Sequence, residues 1–202
     1  MATIGLKDLY YSIITEDSSG NETYATPVKL APAISASLSL NFDAARLFAD
    51  DKVEDDLREF STGTISLGVS AISDAVAAIL TGSTVDSNGC LVDTDSDAAP
   101  YVAIGFRAKT SKGTYRYVWL YRVKFAVPND SFSTKGESVA FTTPTIEGTF
   151  YKRNKPDSRG KYPWRNSVTE GESAASATVI SSWFTSVPEP AFTASTQSNQ
   201  QS

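Results

Sequence analysis

The chain has 202 residues, 41% of them hydrophobic, with a formal charge of −5, one cysteine and no histidine. That length supports one good core, or one core with a tail. Without histidine the commonest general base and metal ligand is missing, and so is every Ser-His or Cys-His nucleophile pair; the lone Cys90 excludes an intrachain disulfide and a thiolate zinc cluster.

The elements follow in chain order. Residues 6–15 (LKDLYYSIIT) read as a first strand, closed by a turn at 16–21. Pro27 and Pro32 bracket an irregular crossing. Ile34, Ala36, Leu38, Leu40 and Phe42 then alternate with Ser35, Ser37, Ser39 and Asn41, which predicts a half-buried strand. Residues 62–70 repeat the pattern, with Ile65, Leu67 and Val69 inward and Thr64 and Ser66 outward. Between them, 43–61 reads as a long acidic arm with its own apolar side chains and a short strand at 47–49. Ser73 caps a predicted helix over 73–80, and Gly82 ends it.

Residues 99–125 (APYVAIGFRAKTSKGTYRYVWLYRVKF) predict a β-hairpin turning at Ser111–Lys112–Gly113. Its return strand, 114–127, places Tyr115, Tyr117, Trp119, Tyr121, Val123, Phe125 and Val127 on one face and Arg116, Val118, Leu120, Arg122, Lys124 and Ala126 on the other. Neither face is plainly polar. The strand therefore belongs to a large sandwich core or is shared between a protomer core and an assembly wall. A third strand over 139–151 completes the sheet. A basic, Pro- and Gly-containing stretch at 152–165 follows, then a second helix within 172–187 using Ala177, Ile180 and Phe184. Residues 188–202 read as a polar, disordered tail, leaving 1–187 as the domain.

Chemistry finds little purchase. Asp93, Asp95 and Asp97 resemble the start of a calcium loop, but Ala98 and Ile104 stand where such a loop needs glycine and glutamate. Adjacent acids on the arm have no apolar pocket to separate their pKa values. Gly63, Gly68, Gly105 and Gly148 sit singly in strands and mark bulges or close backbone approach. The expectation is a protein without catalytic activity, metal or cofactor. No apolar run is long enough for a membrane span and Met1 is not followed by a leader pattern, so a soluble chain made in a cytoplasm is expected. Residues 1–100 carry 5 Lys/Arg against 16 Asp/Glu, or −11; residues 101–202 carry 13 against 7, or +6. Such a split suits copies meeting head to tail, or contact with nucleic acid through the basic half.

The stretches GLKDLYYSIIT (5–15), KLAPAISASLSL (29–40), LFADDK (47–52), residues 99–125 and TPTIEGTFY (143–151) together resemble the major tail protein family of long-tailed, non-contractile bacteriophages. The resemblance covers about residues 1–187. It implies a mainly β fold, a β-sandwich or partly closed barrel with one flanking α-helix and a long inter-strand arm. It also implies hexameric rings, closed by strands of neighbouring subunits and stacked into a tube that conducts DNA without specific binding. The partners would be further copies, other tail proteins and the passing DNA; the place would be the virion tail. The arm would contact the next ring, making Leu47, Phe48, Asp50, Asp51, Lys52, Glu54, Asp55 and Asp56 inter-ring candidates. Ser35, Ser37, Ser39, Asn41, Thr64 and Ser66 are candidates for the lumen face, where hydroxyls would not grip phosphate. Tyr115, Tyr117, Trp119, Tyr121 and Arg122 are candidates for an inter-subunit sheet. The competing readings are an Ig-like surface adhesion module and a single-stranded nucleic-acid-binding protein, whose bases would stack on the aromatic stretch 107–124.

Overall fold

The computed structural model describes residues 3–49, 52–128, 143–172 and 177–192, with the backbone alone for 45–49 and 52–57. The chain is mainly β: β1 (Thr3–Glu16), β2 (Glu22–Tyr24), β3 (Val28–Ala31), β4 (Ala33–Ala49), β5 (Lys52–Val69), α1 (Asp74–Thr81), β6 (Thr84–Val85), β7 (Leu91–Val92), β8 (Val102–Thr110), β9 (Tyr115–Phe125), β10 (Thr145–Tyr151), β11 (Arg165–Thr169) and α2 (Ala177–Ser181). Local chemistry sets several ends. Ser73 accepts a hydrogen bond from the Val76 N–H, and Gly82, at φ +81°, donates its own N–H to the Ala78 carbonyl. Gly113 turns the β8–β9 hairpin at φ +85°.

Antiparallel pairing gives the order β2-β1-β8-β9-β10-β5-β4, with β3 also on β1 and β11 also on β9; β6 and β7 pair separately. The sheet curls. β3 pairs with β1 through Ala31↔Leu9, β4 pairs with β5 through Ala33↔Val69, and only Pro32 lies between them. Both ends of the strand order therefore meet at one residue. Proline has no N–H to donate, and no ladder bond closes the curl into a barrel there. Inside the curl, Leu9, Leu30, Ile65, Leu67, Ile104, Leu120, Val123, Ile146 and Phe150 form the main core, and Ile72, Val76 and Ile79 bring α1 against it.

β9 departs from its sequence pattern at one residue. Val102 pairs with Val123 but Ile104 pairs with Leu120, so β9 carries an extra residue there. The bulge reverses the facing of everything after it. Val118 and Leu120 share the main core with Val123 and Phe125, which the uninterrupted alternation assigns to opposite faces. On the other face, Tyr117, Trp119 and Tyr121 join Ala103, Trp183 and Val187 in a second cluster.

The 43–61 arm is the second departure. It is not a connection with one short strand but the outer half of a long β4–β5 hairpin, paired from Ala33↔Val69 to Ala49↔Lys52. β10 accompanies β5 only as far as Gly63, and Ser61 is skipped between Phe42↔Phe60 and Asn41↔Thr62. Beyond that bulge the ribbon, among the described residues, pairs only with itself. Residues 43–49 span roughly 20 Å at about 3.3 Å per residue. Charges on both faces hid the strand period, because a ribbon without a third strand has no face that must be apolar.

Candidate functional site

Three surfaces carry the residues singled out from the sequence. The arm comes first. Leu47 pairs with Asp55, Phe48 with Val53 and Arg46 with Asp56 along the ribbon, while Asp50 and Asp51 lie outside the described residues. Lys52 begins β5 and Glu54 follows in it. The base is anchored by aromatic contact: the Phe60 ring lies 4.5 Å from Trp164 and 5.9 Å from Phe150, both stacked, and Phe42 meets Phe60 edge-on at 6.1 Å. Glu59 takes a 3.0 Å ion pair from Lys152. Phe42 nonetheless keeps 53% of its surface exposed, with Ile34 at 52% and Leu40 at 37% on the same strand. β4 pairs with β5 along one edge; no described strand occupies the other.

The second surface is polar. Ser35, Ser37, Ser39 and Asn41 are exposed, as is Thr64, and Ser66 is half-buried; Ala36 and Leu38 between the serines pack on the core. The strand phase expected from the alternation holds at Ala36 and Leu38, whereas Ile34, Leu40 and Phe42, expected on the buried side, stay exposed. Pairing extends the polar face into lateral rows. Ser39, Thr64, Thr149 and Lys124 stand side by side across four strands, and Ser37, Ser66 and Glu147 form the next row. They line an open groove of about 440 Å³ with Tyr151 at its margin. Thr149, Glu147 and Lys124 were not among the sequence candidates. The alternation Thr145, Glu147, Thr149 against Ile146, Gly148, Phe150 carried the signal.

The third set sits elsewhere than expected. β9 is central, with β8 on one edge and β10 and β11 sharing the other, so it offers no edge to a neighbouring subunit. Trp119 and Tyr121 are fully buried and Tyr117 nearly so, under the chain's own C-terminal segment. The Trp119 indole N–H donates to the Trp183 carbonyl at 2.9 Å, and the Tyr121 hydroxyl to the Pro188 carbonyl at 2.7 Å. Tyr115 is half-buried, and the Glu170 carboxylate takes both its N–H and the Tyr117 hydroxyl, each at 2.9 Å. Arg122 is buried against the carboxylates of Glu22 and Glu16 and lies 3.8 Å from the Tyr101 ring centre. Burial opposes its charge, but hydrogen bonds to Glu22, Tyr101 and Glu16 raise its pKa above the usual arginine value. An inter-subunit role for Tyr115, Tyr117, Trp119, Tyr121 and Arg122 does not fit this placement. The missed partner was Trp183, which stands beside Phe184 in the segment whose Ile180 and Phe184 predict a helix face.

The C-terminal boundary moves accordingly. Residues 188–192 pack on the body rather than starting a free tail. Arg153, 1% exposed, donates to Glu189 at 2.7 Å, Lys155 reaches the same carboxylate at 2.9 Å, and Arg159 lies 3.4 Å from the Phe192 ring centre. Burial works to raise the Glu189 pKa, but its bonds from Lys155 and Arg153 hold it below the ordinary range. Residues 193–202 lie outside the described residues. At the opposite end of the sheet, Asp8 sits at φ +54° in a bulge of β1 and is held by Arg107 at 2.5 Å. Pairs such as Asp8–Arg107, Glu22–Arg122 and Glu59–Lys152 join the acidic half to the basic half, so part of the charge split is used within one chain.

The acidic turn 93–97 closes on itself: Asp97 accepts from the Thr94 N–H at 2.8 Å and hydroxyl at 2.6 Å, which lower its pKa, the hydroxyl bond most. Among the described residues no group of three or more His, Cys, Asp or Glu side chains is placed to hold a metal ion. Of the lone strand glycines, Gly63 and Gly105 admit aromatic rings, a Cβ at Gly63 lying 2.1 Å from the Phe150 ring and one at Gly105 2.6 Å from Trp119, whereas one at Gly68 would meet the Ser35 hydroxyl at 2.4 Å. No helix among the described residues is long and apolar enough to cross a membrane. No protein-family model matches the chain, and no curated protein matches it.

Proposed function

We propose that this chain is a structural subunit that assembles with copies of itself into rings, of the hexameric kind found in phage tails, stacked into a tube for DNA delivery. The arm is the observation that carries the reading. A two-stranded ribbon is at best marginally stable alone in water, and an unpaired edge invites another chain. Here the ribbon leaves the sheet at a bulge, no described strand occupies its outer edge, and exposed Ile34, Leu40 and Phe42 flank its base. An interface with a second copy would cover these groups. The polar face of Ser35, Ser37, Ser39, Asn41, Thr64 and Ser66 suits the channel wall, since hydroxyls without dense positive charge let a polyanion slide. In this reading the chain is not an enzyme and needs no cofactor. Its partners are further copies, other tail proteins and the DNA in transit, and its place is the virion tail.

Electron microscopy of concentrated purified protein tests the proposal. Rings or tubes are the expected result. Monomers at every concentration would overturn it in favour of an adhesion module, and complexes that form only with nucleic acid would favour the nucleic-acid-binding reading.

A further inference from the structure

Two charged side chains, Lys124 and Glu147, enter the groove on the polar face. They come from neighbouring strands. Lys124 faces Thr149 directly, and Glu147 is two residues along β10 from Thr149, making it the diagonal neighbour of Lys124. Such neighbours stand about 7–8 Å apart, close enough for long side chains to meet. No ion pair joins them among the described residues. The Lys124 ammonium lies instead 5.4 Å from the Tyr101 ring centre, while Arg122, two residues away on β9, is matched by Glu22 and Glu16. Of these two cations, Lys124 keeps its charge available to solvent.

We propose that Lys124 contacts the phosphate backbone of double-stranded DNA and that Glu147 is its counterweight, the pair setting how firmly this face holds the polymer. The inference rests on the reading of the polar face as a channel wall. The chemistry fits a phosphodiester: one ammonium stands in a row with the hydroxyls of Ser39, Thr64 and Thr149, which can donate to phosphate oxygens but, being uncharged, add little grip of their own. The groove is open, which suits a chain passing across it. A carboxylate one row away repels the same phosphates. Contact is thereby kept weak, whereas each uncompensated lysine in a repeating wall would add to the grip.

The test is binding of a fluorescent 20-base-pair duplex to the assembled protein at several salt concentrations, beside microscopy of each variant. Lys124→Gln should weaken binding about tenfold at about 50 mM salt and flatten the salt dependence by roughly one phosphate contact per engaged subunit. Glu147→Gln should tighten binding and steepen that dependence, and Lys161→Gln, outside the groove, should change neither. Rings or tubes with duplex binding indifferent to Lys124 and Glu147 would overturn this inference and leave the assembly reading standing. An equal loss from Lys161→Gln would overturn it too, by showing only general surface charge. Opposite shifts from Lys124→Gln and Glu147→Gln without any rings or tubes would sink the assembly reading while supporting a phosphate contact at the groove.

Discussion

β9 and the β4–β5 arm are both long, both carry aromatic residues, and both belong to one sheet, yet they spend their side chains differently. β9 has strands on both edges and a cluster on each face, so Trp119, Leu120, Tyr121 and Val123 lose all contact with water. Among the described residues the outer arm pairs with itself alone, and at its base Phe42 stays more than half exposed. Burial, not aromatic content, separates an element that stabilises the fold from one that leaves apolar surface exposed. Substitutions in the two regions should then fail in different ways.

The largest stability loss is expected beside β9. Trp183→Ala removes a buried indole from the Tyr117–Trp119–Tyr121 face and should cost about 3–5 kcal/mol in urea unfolding. A cost under about 1 kcal/mol would mean that the C-terminal segment does not cover β9 in solution.

Next comes Glu22→Gln, which leaves Arg122 with only the more exposed of its two carboxylate partners, Glu16. The expected cost is about 3 kcal/mol, against no more than about 1 kcal/mol for Glu16→Gln. Equal costs would erase the distinction between the two carboxylates.

Paired truncations sharpen the C-terminal boundary. Removing residues 188–202 strips Arg153 of Glu189 and Tyr121 of the Pro188 carbonyl, for about 2–3 kcal/mol. Removing 190–202 keeps both bonds and should cost under about 1 kcal/mol. Acid should mimic the first. The folded-state pKa of Glu189 is depressed, so its contribution is complete above the ordinary carboxylate pKa and is lost as pH falls through the lower folded value. Protection of the amides in 183–192, taken relative to their intrinsic exchange at each pH, should fall over that acidic window, and protection that stays constant would show that Glu189 does not hold the segment.

The smallest stability effect is expected from the two acidic residues between β4 and β5 in sequence. Asp50→Lys with Asp51→Lys should change unfolding free energy by no more than about 0.5 kcal/mol, as surface changes usually do, yet block tube growth seen by microscopy, because rim charges govern register and encounter. Tubes like those of the unaltered protein at low salt would remove the arm from the assembly.

Much of the fold was legible where one face of an element had to be apolar. The Ile34–Phe42 alternation, the Ser73 and Gly82 caps and the hairpin turn at Gly113 are local chemistry, and each lies where its residues put it. The single glycines announced close approach without naming the rings that Gly63 and Gly105 admit. Of the candidate surfaces, the serine face was legible and its lateral extension into Thr149, Lys124 and Glu147 was not, because rows across a sheet follow from strand order.

What the sequence determined by itself was a mainly β chain, the phase of its cleanest strands, its flanking helix and the lack of histidine-based chemistry. Tertiary structure alone decided the rest. A one-residue bulge in β9 exchanged the faces of its last residues, Pro32 brought the two ends of the sheet together without a closing ladder, and Trp183 covered the aromatic face taken for an interface. Periodicity reports which side chains share a side of a strand. Which side meets solvent, core or another chain depends on contacts between residues far apart in sequence, and those exist only once the sheet has formed.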